Sequence, residues 1–558
     1  MDDLQWADRQ SLQVLAVLGT KIINNDAPCT MLMGTYRSDE IPHDHPLVPS
    51  FLEMRHQFDL IELGPLRESD ANALVECLLE EKSDEVALLQ NVCYRFTAGN
   101  PFFIYEYLKS AIQTGVFALE ENTQLWKFHQ ERIHASDLSN GVASLVAERI
   151  RTLNVFQRSL ISMASVAGHS MQRSHLKALL PVLMRLRPEL EEVLTLLDLE
   201  QTIELCYQEL LQKNMLVPDA SRFAFFHDKI QESSYRLLTA EEKGILHFEF
   251  GMLCVESAQA GMNDAAIFEA AYHICQGHRT DLTPNLRKFL FVAAQCARKV
   301  FAFDRAKEYL QVLLNAIVSQ PEIDSKEKFD ALELMADTLS VSDQIAHAME
   351  IYDNLLTFDC EPIRRARIYA KKVEFCMNLF DYKSARQACE AGLKLLGRRI
   401  FTTELSSYLY IAVSLPFLVL YCLYFKFFGR QSKVVESEAE EIRFQLLLKT
   451  AVSQYFTQPI VAIANFIPLT FELLSYKDCN HRASMICYWG IIISAFGVKD
   501  FANVCFQRAY EYFDKTARPV DKGFALFCWG FISDMPRGDL QSARKKIEEA
   551  VFTLAPVG

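Results

Sequence analysis

At 558 residues the chain is too long for one hydrophobic core, and at roughly 150 residues per domain it divides into about three or four units. Half of its residues are hydrophobic and 23% are charged, which excludes a disordered chain, while only 20 Gly and 18 Pro argue against a turn-rich β fold and for long helices. The formal charge of −14 carries no basic run, which excludes a phosphate-backbone footprint, so nucleic acid is not an expected partner.

The 15 cysteines fall singly, without a C-x-x-C pair or a Cys/His cluster at zinc spacing. They read as buried hydrophobes in a reducing compartment. His43 and His45 flank Asp44, but two loop histidines are too few for a closed metal site. Asp2, Asp3 and Asp8 stand where a signal peptide needs positive charge and then an apolar core, so the cytoplasm is the expected location.

The chain opens on Asp2-Asp3 at the head of an amphipathic helix with Leu12, Leu15, Leu18 and Ile22 at helical spacing. Adjacent carboxylates repel, so the pair is either solvated as a helix cap or serves a cation. The β-prone run Cys29–Arg37 predicts a buried strand after that helix. Strand, helix, strand is the grammar of a parallel sheet, whose ligands sit beyond the carboxyl ends of the strands. That rule puts Asp2-Asp3 and Thr35–Arg37 on one rim. Residues 68–95 and Phe102–Ala111 predict helices on either side of the Gly99-Asn100-Pro101 turn, and 117–139 predicts a hairpin or loop with Trp126-Lys127-Phe128.

Segments 142–153, 155–167, 172–180 and 188–215 predict short helices, and Met215 to Phe226 a β-wing, which together make a winged helix without a basic recognition surface. His227-Asp228 closes the wing and opens a helix over Lys229–Leu238. Beyond residue 264, Asp304, Asp343 and Asp381 stand in helix breaks 39 and 38 positions apart, and Asp500 and Asp539 are again 39 apart. Ala306, Ala346, Ala385 and Ala543 follow at packing positions. This period predicts tetratricopeptide-like helix pairs stacked into a solenoid that binds a protein or peptide. Leu405–Phe425 holds no charged residue and is long enough to span a membrane, although Pro416 and three serines interrupt it; it reads as a span, a membrane tether or a buried repeat helix.

The segments M-D-D-L-Q-W-A-D, M-L-M-G-T-Y-R-S-D-E-I, H-P-L at 45–47, I-E-L-G-P-L at 61–66 and T-A-G-N-P-F-F-I at 97–104 come in one order. Together they resemble the STAND class of AAA-related signalling ATPases, in the branch found upstream of histidine kinases, Ser/Thr kinases and nucleotide cyclases. The resemblance covers nearly the whole chain. It implies a mainly α protein: a partial α/β P-loop NTPase domain with its helical subdomain over 1–115, a winged helix over 116–250, and a TPR-like α-solenoid over 260–558 that includes the apolar stretch 405–425. It implies ATP or ADP with Mg²⁺ as ligands, with Asp2 holding the metal, Asp3 activating water, Arg37 as the sensor after the next strand, Pro101 packing on adenine, and His227 reaching the β-phosphate of ADP.

One departure weighs against activity. No G-x-x-x-x-G-K-[ST] loop occurs in the 558 residues, and Gly19-Thr20-Lys21 is only a fragment of it. The chain reads as starting at Walker B, with the loop expected upstream, and as inactive on its own. The expected function is the regulatory and sensor portion of a multidomain signalling ATPase, with the output kinase or cyclase in a longer version. The alternative is an interaction scaffold without ATPase function, cytoplasmic or membrane-tethered.

Overall fold

The structure is a computed structural model. It describes residues 1–7, 9–23, 30–38, 41, 45, 47–48, 59–113, 115–119, 126–129, 150–190, 199–219, 221–261, 264–320, 324–341, 344–427, 437–455, 458–473, 480–513 and 519–554. It is mainly helical with few strands. Two compact units, Met1–Ile323 and Asp324–Gly558, divide the chain.

In the first unit, residues 1–4 lie beside 33–35. The Met1 amine donates to Met33 O at 2.8 Å, Thr35 N–H to Met1 O at 2.9 Å and Leu4 N–H to Thr35 O at 2.9 Å. This ladder runs parallel, with helix α1 (Arg9–Ile23) as the intervening element. The stretch expected as a strand at 29–37 does not form a regular strand over its described residues and is not buried: Met31 is 85% and Met33 70% exposed. Among the described residues only the short opening segment pairs with it, so those side chains find no second layer to enter.

Helices α2 (Glu68–Leu79), α3 (Asp84–Thr97) and α4 (Pro101–Gln113) share a core with the antiparallel hairpin β1 (Phe117–Leu119) and β2 (Trp126–Phe128). Phe117 and Trp126 stack across the hairpin with ring centroids 4.9 Å apart. Of the segment 117–139 expected as a hairpin or loop, residues 120–125 and 130–139 lie outside the described residues. Gly99 has φ +78°, and a Cβ there would stand 2.2 Å from Leu66 O, so the turn before α4 admits only glycine.

Next come α5 (Val155–Ala164), β3 (Ser170–Gln172), α6 (Arg173–Leu186), α7 (Leu199–Gln212), β4 (Leu216–Val217) and β5 (Arg222–Phe225), with the antiparallel strand order β3-β5-β4. A capping box starts α5: Gln157 N–H donates to Asn154 Oδ1 at 2.8 Å and Asn154 N–H to Gln157 Oε1 at 3.2 Å. Strand β3 was not expected, because three residues with one buried apolar side chain, Met171, carry no alternation to read. Helices α8 (Asp228–Arg236), α9 (Ala240–Gly261), α10 (Asp264–Gln276), α11 (Pro284–Lys299) and α12 (Phe303–Ser319) complete the unit, with α9 packed on α10 and α11 on α12.

The second unit is helical throughout its described residues: α13 (Ser325–Leu339), α14 (Ile345–Leu355), α15 (Pro362–Asn378), α16 (Tyr382–Leu395), α17 (Glu404–Phe427), α18 (Glu438–Tyr455), α19 (Pro459–Leu473), α20 (Asn480–Ala495), α21 (Lys499–Phe513), α22 (Pro519–Cys528), a π turn at Trp529–Asp534, and α23 (Leu540–Leu554). The repeating aspartates sit at helix starts. Asp381 accepts from Ser384 N–H and Asp539 from Ser542 N–H, each at 3.1 Å, while Asp304 and Asp500 occupy first turns. Asp343 lies outside the described residues. Ala306, Ala385 and Ala543 are buried as expected. In the second repeat, however, Ala348 is the buried alanine and Ala346 is exposed, because the helix starts only at Ile345.

Of the readings of 405–425, the membrane span is corrected. The stretch forms α17, with Pro416 inside it. Among the described residues, no helix is long and apolar enough to cross a membrane. One face of α17 packs into the unit through buried Ser407, Ser414 and Leu418, joined by Tyr410 and Ile411. The two serine hydroxyls donate to Thr403 O and Tyr410 O at 2.7 and 2.6 Å, so they enter the core without orphaned polar atoms.

Candidate functional site

The rim expected from the sequence is assembled from five separate stretches of the first unit. Asp2 accepts a hydrogen bond from the Thr35 hydroxyl, and Thr35 Oγ1 accepts from Asp3 N–H at 3.2 Å. Asp3 adopts a left-handed conformation, φ 54°, which turns the chain into the short helical turn Leu4–Trp6. Gln5, almost fully buried, ties the two edges together: its Nε2 donates to Asp3 Oδ1 at 2.9 Å and its Oε1 accepts from Arg37 N–H at 3.2 Å. His45 Nε2 stands 2.9 Å from Gln5 O, an internal contact of a histidine first weighed as a metal ligand.

Arg37 bridges two carboxylates. Its Nε lies 3.6 Å from Asp3 Oδ1 and its Nη2 donates to Asp228 Oδ2 at 3.2 Å. The other oxygen of Asp228 faces His169 Nδ1 at 3.1 Å. His169 leads into β3 and Asp228 opens α8, so the sheet and helix hold these two groups against the 33–37 edge.

His227 is the N-cap of α8. Its Nδ1 accepts from Lys229 N–H at 3.1 Å and its carbonyl from Ile230 N–H at 2.9 Å. In the neutral ring the proton is therefore on Nε2, which is the donor. Burial holds the His227 pKa below the usual histidine value; Arg37, Lys229 and His169 push the same way and Asp228 opposes them. The ring is thus a neutral donor at pH 7. It stacks on Phe102, with centroids 3.9 Å apart and planes 23° apart. Pro101 is exposed at the first position of α4, where Asn100 Oδ1 caps the Phe102 and Phe103 N–H groups at 3.1 and 3.4 Å.

Asp2, Asp3, Arg37 and His227 are therefore gathered in one neighbourhood, and Pro101 adjoins it through Phe102. Sequence reasoning missed Gln5, Phe102 and His169 and gave Asp228 no role in the site. His169 carries no motif, and its contact with Asp228 spans 59 positions, so no local signal would have found it. Among the described residues, no three His, Cys, Asp or Glu side chains are grouped to hold a metal ion.

No protein-family model matches the chain. It is 24% identical over 182 residues to the peroxide stress-activated histidine kinase mak3 of Schizosaccharomyces pombe, covering 32% of this chain and 7% of that protein. It is 21% identical over 344 residues to hybrid signal transduction histidine kinase G of Dictyostelium discoideum, covering 52% of this chain and 10% of that protein. The chain thus spans a tenth or less of the curated relatives it matches. A solved STAND protein with a tetratricopeptide repeat sensor from Pyrococcus horikoshii aligns over 89% of this chain and 61% of its own, at 11% identity and a TM-score of 0.39, a likeness too loose to bear on function.

Proposed function

We propose that this chain is the regulatory portion of a multidomain signal-transduction ATPase, in which a nucleotide site is read by a winged helix and coupled to a protein-binding array of TPR-like repeats. The observation that carries the reading is the meeting of Asp3, Arg37 and Asp228, with His227 beside them. Support for the winged helix comes from the order helix α5, strand β3, helices α6 and α7, strands β4 and β5, with the sheet order β3-β5-β4. Similarity to segments of two proteins named as histidine kinases supports the proposal that a longer version would carry a kinase output.

The residues present fit half of a Mg²⁺-nucleotide site. Asp2 and Asp3 offer carboxylate oxygens, and Mg²⁺ is commonly held by one or two carboxylates together with water and phosphate oxygens. Arg37 and the Nε2–H of His227 are donors suited to phosphate, and Pro101 beside Phe102 presents an apolar edge suited to a base. A phosphate-cradling Gly-rich loop is absent from the sequence and has to come from another segment or chain. When bound, Mg²⁺ would neutralise phosphate charge and polarise the bond to be broken. Within the chain, Asp3 would orient the attacking water and Arg37 would answer to the terminal phosphate.

The experiment is a titration of the 558-residue chain with Mg-ADP, read by calorimetry and by amide exchange over residues 1–5, 33–37 and 227–232. We expect weak binding, with Kd on the order of 1 mM, made at least fivefold weaker by Asp2→Asn or Arg37→Ala. Affinity indifferent to both substitutions would leave the scaffold reading. That second reading draws on the missing loop and assigns the chain only partner binding through its repeats.

A further inference from the structure

Asp228 takes a nitrogen donor on each of its two carboxylate oxygens, and the two donors come from different segments. Arg37 Nη2 donates to Oδ2 at 3.2 Å, and His169 Nδ1 faces Oδ1 at 3.1 Å. The helix end does not require this carboxylate, because His227 already receives the Lys229, Ile230 and Gln231 N–H groups through its ring and its carbonyl. Lys229, the other nearby cation, pairs with Glu232 at 3.0 Å. A guanidinium and an imidazole converging from separate segments on a single anion, with the His227 donor next to them, is the donor geometry by which proteins hold a phosphate group.

Resting on the nucleotide-site reading, we infer that Arg37 and His169 form an anion site whose resident ligand is the chain's own Asp228, and that a phosphate group of a polyphosphate displaces this carboxylate. The Asp228 and His169 side chains are 39% and 57% exposed, so the contact is open to solvent and exchangeable. A phosphate carries more charge and more acceptor oxygens than a carboxylate, and it competes for the same donors. Displacement releases the start of α8 from the 33–37 edge. Occupancy of the site and the position of α8 are thereby one equilibrium.

The test is calorimetry of the full chain with pyrophosphate as the probe. Asp228→Asn removes the competing charge with little change of shape, and it is expected to raise pyrophosphate affinity at least tenfold. Adding Arg37→Gln or His169→Gln to that variant is expected to return most of the gain. Unchanged or weaker binding by Asp228→Asn, absence of binding to either protein, or a gain that survives both second substitutions overturns the proposal. Should Asp228→Asn fail to fold, as judged by circular dichroism, His169→Gln alone decides: a severalfold loss of pyrophosphate affinity supports the site, and no change overturns it. Mg-ADP titrated in parallel separates the two readings, since ADP bound no more tightly than pyrophosphate would reject the nucleotide site and leave the anion site standing.

Discussion

His247 and His273 face one another through their Nδ1 atoms at 2.8 Å in the buried seam between α9 and α10. Such a contact requires one ring to donate and the other to accept, so it is made by neutral imidazoles or by a pair sharing a single added proton. The Tyr235 hydroxyl stands 2.9 Å from His247 Nε2, and the rings of Phe250 and Tyr272 pack edge-on against His273. Burial pushes His247 down to about 4, helped by His278 and Lys243, and pushes His273 down to about 3, helped by His247.

That relationship predicts acid sensitivity in the first unit. Both folded-state values lie below the ordinary 6.5, so the unfolded chain takes up the protons first. The stabilisation is complete above about pH 6.5 and is lost progressively as pH falls through about 4 and 3, on the order of 3 kcal/mol for each histidine by pH 4. Urea unfolding at pH 7, 6 and 5 should show this slope, and His247→Phe with His273→Phe should flatten it. An unchanged slope in the double variant would assign the acid sensitivity to other groups.

In the second unit, Lys371 Nζ lies 2.6 Å from Glu333 and 2.8 Å from Asp337, which also accepts from the Tyr352 hydroxyl at 2.6 Å. Replacing Lys371 by Met leaves two poorly solvated carboxylates side by side. Solvent still reaches the lysine, so the expected loss is about 2 kcal/mol rather than the larger cost of a fully buried pair. Denaturant titration checks it, and adding Asp337→Asn should recover part of the loss. A deficit below about 0.5 kcal/mol would show that water already screens the cluster.

Gly251 lies inside α9, where glycine costs a helix about 1 kcal/mol relative to alanine. A Cβ at this position would stand 2.9 Å from the Ile274 backbone nitrogen on α10. The steric effect wins because backbone cannot rotate aside, so Gly251→Ala is expected to destabilise by about 1–2 kcal/mol. A stabilised variant in thermal melting would refute the close approach of the two helices.

Asn465 is buried in α19 and holds the chain before α17. Phe401 N–H donates to its Oδ1 at 2.7 Å, and its Nδ2 donates to Phe401 O at 2.9 Å and Gln454 Oε1 at 2.8 Å. Asn465→Ala orphans these groups and should cost about 2–3 kcal/mol. Amide exchange at Phe401 should quicken in the variant, and an unaltered rate would mean that other contacts hold this segment.

The helix-rich composition, the periodicity of α1 and the 38–39-residue spacing of the repeats were legible in the amino-acid order, because caps, turns and amphipathic faces act over a few neighbouring residues, whereas 117–139 read as either a hairpin or a loop and 68–95 as helix without the break between α2 and α3. Asp2, Asp3, Arg37 and His227 were legible as candidates for the same reason: each sits at the end of an element. Only the tertiary structure decided that Arg37 reaches Asp228 across 191 positions, that His169 completes that contact, that β3 pairs with β5, and that Met31 and Met33 stand exposed. It also decided that α17 turns Ser407 and Ser414 inward, where the apolar sequence alone left a membrane span, a tether and a buried repeat helix open. Ion pairs, strand partners and buried faces depend on where distant segments arrive in space, and no spacing along the chain encodes that meeting.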